Sequence, residues 1–225
     1  MFFPRGSATR VVDSCDPTAY FRTQLTLSVS PIPVYSVPGN NDYPECPDPV
    51  EGWANYEKHM MNLDTMFWNA TGYEVKRQDV RPENFSFLYK RVLFIGLNTV
   101  TNSDDLETTA RLEESIDWVT TNVEAYMNTA DAVFIMGYGR LLATKNVPFY
   151  DAMVNKTGSD WSDKLVVYAR RASETDLDQN VGGNSNFFEL RVGAEWPIMD
   201  VRVRTKGKEP KLAFRAAIDS EEPKV

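Results

Sequence analysis

Apolar residues at Leu112, Ile116, Val119, Val123 and Met127 recur in steps of four and three, which stacks them along one stripe of a helix packed against a sheet. Shorter continuous apolar runs predict buried strands at Ile32 to Val37, Arg91 to Leu97, Ala132 to Met136 and Lys164 to Ala169. Two later strands, Asn186 to Val192 and Ile198 to Arg204, read as an antiparallel pair. Helices are expected at Asp16 to Leu27 and from Asp48 to about Leu63, because each opens with an aspartate N-cap followed by proline. Glu51, three positions after Asp48, completes a capping-box pattern. Strands alternating with helices predict a layered α/β domain over 1–205. From about Lys206 the charges, with Pro210 and Pro223, predict a loosely held tail over 206–225.

A chain of 225 residues with 42% apolar content has room for one full core. Its net charge of -8 argues against a nucleic-acid surface, which needs clustered positive charge. No apolar run approaches the length of a membrane span, and the N-terminus lacks the charged-then-apolar layout of a signal peptide. Three sequons, Asn69-Ala70-Thr71, Asn84-Phe85-Ser86 and Asn155-Lys156-Thr157, are compatible with secretion.

The candidate chemistry concentrates at Pro38-Gly39-Asn40-Asn41-Asp42-Tyr43, where an apolar run stops at a glycine and three amide or carboxylate side chains follow. The plain reading is a turn after a strand; the chemical one is an oxygen-rich rim for a metal or phosphate at the mouth of a sheet. Elsewhere the chemistry is thinner. Thr101-Asn102-Ser103-Asp104-Asp105 lacks EF-hand spacing and reads as a helix-entry loop. Gly137-Tyr138-Gly139 lacks the third glycine of a dinucleotide cradle. Arg170-Arg171 reads as a solvated strand end, and His59, beside Met60 and Met61, as a surface or half-buried helix residue.

The Gly39 segment resembles the Gly-Asn-His-Asp/Glu block of the calcineurin-like metallophosphoesterases, in a variant branch whose block reads Gly-Asp-Asn-Glu-Trp and is soon followed by cysteine. Here Gly39-Asn40-Asn41-Asp42-Tyr43 is followed by Cys46. The likeness continues through Arg81 to Phe87, Val92 to Asn98, Ala132 to Gly139 and the strands around Phe187 to Val203. It implies a four-layer α/β/β/α sandwich missing its first strand, with Asn40 at a metal-ligand position, Asn41 where the catalytic histidine stands, and Asp42 beside it as a catalytic position. Asn98, Tyr138 and Glu174 would form the rim. The Cys15 and Cys46 loops would meet at the site end of the sheet, as a disulfide or as two free thiols.

The family pattern also implies divalent Mn, Fe or Zn ions and a phosphoester substrate. Several of its ligand blocks are missing. The chain has one histidine, His59, outside every block, and no Gly-Asp dipeptide; Gly6-Ser7 puts serine where a bridging aspartate belongs. Tyr138 stands where one histidine belongs, and Tyr168 to Glu174 where a Gly-His-x-His pair would follow a strand. Neither tyrosine nor arginine readily replaces imidazole on a divalent metal. The implied function is therefore a phosphoester-hydrolase fold with activity weak or lost, or a non-catalytic binding or assembly module with a protein partner. Entry at the family's second strand implies either that the Asp-x-His strand lies upstream, where a secretion signal could also stand, or that the protein does without that strand.

Overall fold

Asp16 and Asp48 start helices as their side chains dictate. Asp16 accepts from the Thr18 N–H at 2.7 Å at the head of α1 (Pro17–Ser28), and Asp48 accepts from the Val50 and Glu51 N–H groups at the head of α2 (Pro49–His59). The computed structural model describes residues 15–68, 72–101, 105–172, 176–179, 186–193, 199–205 and 210–216. The second helix stops earlier than expected and restarts as α3 (Leu63–Phe67). Met60 leaves helical geometry as the cap of α2, and Met60, Met61 and Leu63 are all buried across the break.

The sheet is built from β1 (Lys76–Arg77), β2 (Phe85–Tyr89), β3 (Val92–Gly96), β4 (Ala132–Met136), β5 (Leu165–Ala172), β6 (Asp176–Gln179) and β7 (Phe187–Gly193). Its order is β1-β2-β3-β4-β5-β7-β6. Strands β3, β4, β5 and β7 run parallel, with Leu93 opposite Val133 and Val133 opposite Val166. β2 and β3 form a hairpin turned by Lys90 and Arg91, both at positive φ (48° and 64°), the geometry a two-residue primed turn needs. The Arg91 guanidinium grips Asp131 by two bonds, at 2.7 and 2.5 Å.

The predicted stripe lies on α4 (Asp105–Ala125) and the turn after it. With α5 (Val147–Thr157) it covers the sheet face carrying Leu93, Ile95, Val133, Ile135, Val166 and Tyr168. The opposite face carries Phe85, Phe87, Phe134, Met136, Val167 and Leu190. Gly96 lies opposite Phe85 in the ladder, and a Cβ there would fall 2.2 Å from the Phe85 ring.

Two expectations are corrected. Residues 32–37 form one isolated bridge, at Val34, and belong to no ladder among the described strands. The segment is instead a spacer between layers, because Tyr35 packs on the sheet while Val34 packs with Tyr20 and Tyr56 of the helices. The strand at 187–193 does not pair with its successor. It pairs with β5 and β6, while β8 (Met199–Thr205) pairs antiparallel with β9 (Pro210–Ala216). In β9 the alternating Leu212, Phe214 and Ala216 match a strand's period of two, and its proline sits at the first position. The described architecture is thus a mixed α/β domain, one seven-stranded sheet flanked by helices plus a separate two-stranded hairpin.

Candidate functional site

Beyond Val37 the chain enters a 3₁₀ turn, Asn40–Asp42. The Asp42 carboxylate folds back to accept the Gly39 N–H at 2.7 Å, and the Asp42 carbonyl accepts the Tyr20 hydroxyl of α1. At 2% exposure, this carboxylate is committed to closing its own turn. The amide groups of Asn40 and Asn41 donate to the two oxygens of Glu45, at 3.2 and 2.6 Å. That turns Asn40 Oδ1 inward, where it is buried with no hydrogen-bond partner.

Tyr43 carries this turn to the end of β3. Its hydroxyl accepts from Arg111 Nη1 at 2.8 Å and from Asn98 Nδ2 at 3.3 Å. Burial raises the Tyr43 phenol above its usual pKa, against the opposing pull of Arg111 and Asn98, so it stays neutral. Asn98 is itself saturated. Its Nδ2 also donates to Glu83 Oε1 at 3.0 Å, and its Oδ1 accepts from Val100 N and Arg111 Nη1, each at 3.3 Å. Arg111, on α4 and 1% exposed, completes the cluster through Glu107 and the Val100 carbonyl, the latter at 2.7 Å. A buried guanidinium thus ties the turn, the β3 end and the helix together.

The ends of β4 and β5 close on a second cluster. Thr99 Oγ1 accepts the N–H groups of Tyr138 and Gly139, both at 2.9 Å, and lies 3.2 Å from the Tyr168 hydroxyl. Tyr168 donates to the Gly139 carbonyl at 2.8 Å, and burial holds its phenol far above the usual range. The two glycines are there for space. A Cβ on Gly137 would lie 2.5 Å from the Tyr168 oxygen, and one on Gly139 would lie 2.3 Å from Asn146.

The structure therefore brings Asn98 to the Gly39 turn through Tyr43, and Tyr138 to the same strand ends through Thr99. Glu174 lies outside the described residues, as do Gly6 and Ser7. Cys15 and Cys46 are joined as a disulfide with Cα atoms 5.7 Å apart, which settles the choice against free thiols. Beside it is a cavity of about 500 Å³ lined by Asp16, Glu45, Asp48 and Glu51 as well as Cys15. His59 is buried in α2, its Nδ1 3.0 Å from Gln24 Oε1, with its pKa lowered by burial and then by Lys58.

These residues do not fit a dinuclear Mn, Fe or Zn centre. Among the described residues no group of three or more His, Cys, Asp and Glu side chains is placed to hold an ion. Asp42 and Asn98 use their oxygens on protein donors, and one of those donors is a cation. Asn40 Oδ1 alone offers a single neutral acceptor, whereas two closely spaced divalent ions need several anionic or imidazole ligands.

Sequence reasoning assigned no site role to Arg111, Tyr43, Glu83, Thr99 or Tyr168. Arg111 had a signal: Thr108, Arg111, Leu112, Ser115, Val119 and Asn122 share one buried face of α4, so the stripe continues through polar positions that an apolar count skips.

No family model and no curated protein matches the chain. A solved structure similar to it is that of a 5'-nucleotidase from Candida albicans SC5314, at 14% identity over 76% of this chain, with a TM-score of 0.45. The chain spans about a third of that protein's length, 32%.

Proposed function

We propose that this chain is a metallophosphoesterase-type domain whose phosphoester chemistry is weak or lost and which serves as a binding or assembly module. The observation that carries the reading is Arg111. Its guanidinium lies buried between Tyr43 of the Gly39 turn and Asn98 at the end of β3, a permanent cation among the polar groups where the family resemblance calls for metal ligands. A positive charge fixed there disfavours divalent ions nearby, and the Asp42 and Asn98 side chains already accept from protein donors. The ordered run of family-like blocks supports the family; the Asp42 and Asn98 hydrogen bonds support the loss of activity.

A second reading, a working metal-dependent hydrolase, draws on the unpartnered Asn40 Oδ1. The two are separated by assaying purified protein on aryl phosphate mono- and diesters with excess manganese or zinc, beside Asn40→Ala. The proposal expects background turnover from both proteins. Metal-dependent turnover that disappears in Asn40→Ala would overturn it and establish the hydrolase.

A further inference from the structure

We propose that Asn155 is an N-glycosylation site and that Asn84, in an equally good sequon, is bare in the folded protein because a glycan there is incompatible with the fold. Both follow the Asn-x-Ser/Thr pattern, as Asn155-Lys156-Thr157 and Asn84-Phe85-Ser86, so sequence alone ranks them together. Their surroundings differ completely. Asn84 is 0% exposed; its Oδ1 accepts the Asn98 N–H at 2.7 Å and its Nδ2 donates to Gln78 at 2.7 Å. A glycan on that nitrogen would have to replace the Gln78 bond and pass through packed protein beneath the Gly39 turn. Asn155 is exposed on the last turn of α5.

Two further observations support the site. The Cys15–Cys46 disulfide requires an oxidising compartment, the kind in which N-glycans are added. Asn155 also sits at the harmless end of the molecule. Asn186, immediately before β7, donates to the Thr157 carbonyl at 3.2 Å and to the Lys164 carbonyl just ahead of β5 at 3.0 Å. The end of α5 therefore lies where the parallel strands begin, opposite the strand ends that meet Tyr43, Asn98 and Thr99. A glycan there leaves that cluster open.

Burial of Thr157 sets the order of events. Its hydroxyl bonds the Met153 and Val154 carbonyls inside the finished helix, at 2.8 and 3.1 Å. A transferase that must engage the sequon hydroxyl can do so only before α5 closes. In the transfer, sugar C1 bonds Asn155 Nδ2, the bond from C1 to the pyrophosphate oxygen of a lipid-linked oligosaccharide breaks, and the amide proton departs with the lipid pyrophosphate.

The test is to send the full chain, with an appended cleavable leader, through a eukaryotic secretory pathway. An Asn69→Gln background leaves these two sequons alone to be read. Peptide mapping by mass spectrometry of the folded, secreted protein, before and after glycosidase treatment, should find sugar on Asn155 and bare Asn84. Asn155→Gln and Thr157→Ala should each abolish the glycosidase-sensitive gel shift, and Asn84→Gln should leave it intact. Unglycosylated folded protein given transferase and lipid-linked oligosaccharide should stay unmodified until it is unfolded. A bare Asn155 in secreted protein, an occupied Asn84 in folded protein, or ready modification of the folded chain would overturn the proposal.

Discussion

Replacing Arg111 with methionine tests whether the guanidinium holds the Gly39 turn to the sheet. Methionine keeps much of the aliphatic volume, so the loss is chiefly polar. The Tyr43 hydroxyl, Asn98 Oδ1 and the Val100 carbonyl each lose a charged donor, at 2.8, 3.3 and 2.7 Å. A buried acceptor left unsatisfied costs about 1–3 kcal/mol, and breaking a buried charged network by removing one partner costs about 3–5 kcal/mol. Because these losses overlap, the expected destabilisation is about 4 kcal/mol, a large share of the ~5–15 kcal/mol available to a domain.

The contrast is Glu107→Gln. Glu107 pairs with the same guanidinium, yet its side chain is 40% exposed, so water compensates and the cost should be about 1 kcal/mol. Tyr43→Phe should fall between, at about 1–2 kcal/mol. Urea unfolding followed by tryptophan fluorescence, with unchanged slopes, gives the three values, and the Arg111 variant should melt roughly 8–16 °C lower. If Arg111→Met loses less than about 1 kcal/mol, or no more than Glu107→Gln, the guanidinium is not the tie between turn, strand and helix.

Gly96→Ala places a methyl group 2.2 Å from the Phe85 ring and should cost ~2–3 kcal/mol in urea unfolding; a neutral result would mean that the sheet face relaxes freely. Removing the disulfide by Cys15→Ser with Cys46→Ser opens a link across 31 residues and should lower stability by ~3.5 kcal/mol, an effect that reducing agent reproduces in the wild type but does not add to in the variant. His59 has its pKa lowered in the folded state by burial and by Lys58. Above the unfolded value of about 6.5 both states are neutral and the group is silent. Below it the unfolded chain binds the proton first, so stability falls with pH until the folded pKa is passed. The urea midpoint should therefore drop on acidification, and His59→Gln should lessen the drop; an identical pH profile for the variant would refute this.

What the sequence by itself determined is local. The aspartate caps and prolines place the starts of α1 and α2 because a cap bonds N–H groups two or three residues away. The stripe on α4 and the run forming β4 are legible because periodicity is read within one element. Even so, local rules missed the β2–β3 hairpin, since Lys90 and Arg91 are not the residues that primed turns favour; the Asp131 contacts hold Arg91 there.

Tertiary structure decided the rest. An apolar extended segment such as 32–37 looks the same whether its backbone joins a ladder or lies between layers, and the placement of Tyr20, Tyr35 and Tyr56 settles which. The partner of β7 is likewise a question of which edge is free when the sheet assembles, not of β7's own composition. The candidate site shows this most clearly. Its block of Gly39 to Asp42 can be read directly, but whether those oxygens face a ligand or bond to protein depends on Glu45, Tyr20 and the Tyr43–Arg111 contact. Tyr43 and Arg111 lie 68 positions apart in sequence, and no local pattern records a bond that long-range packing creates.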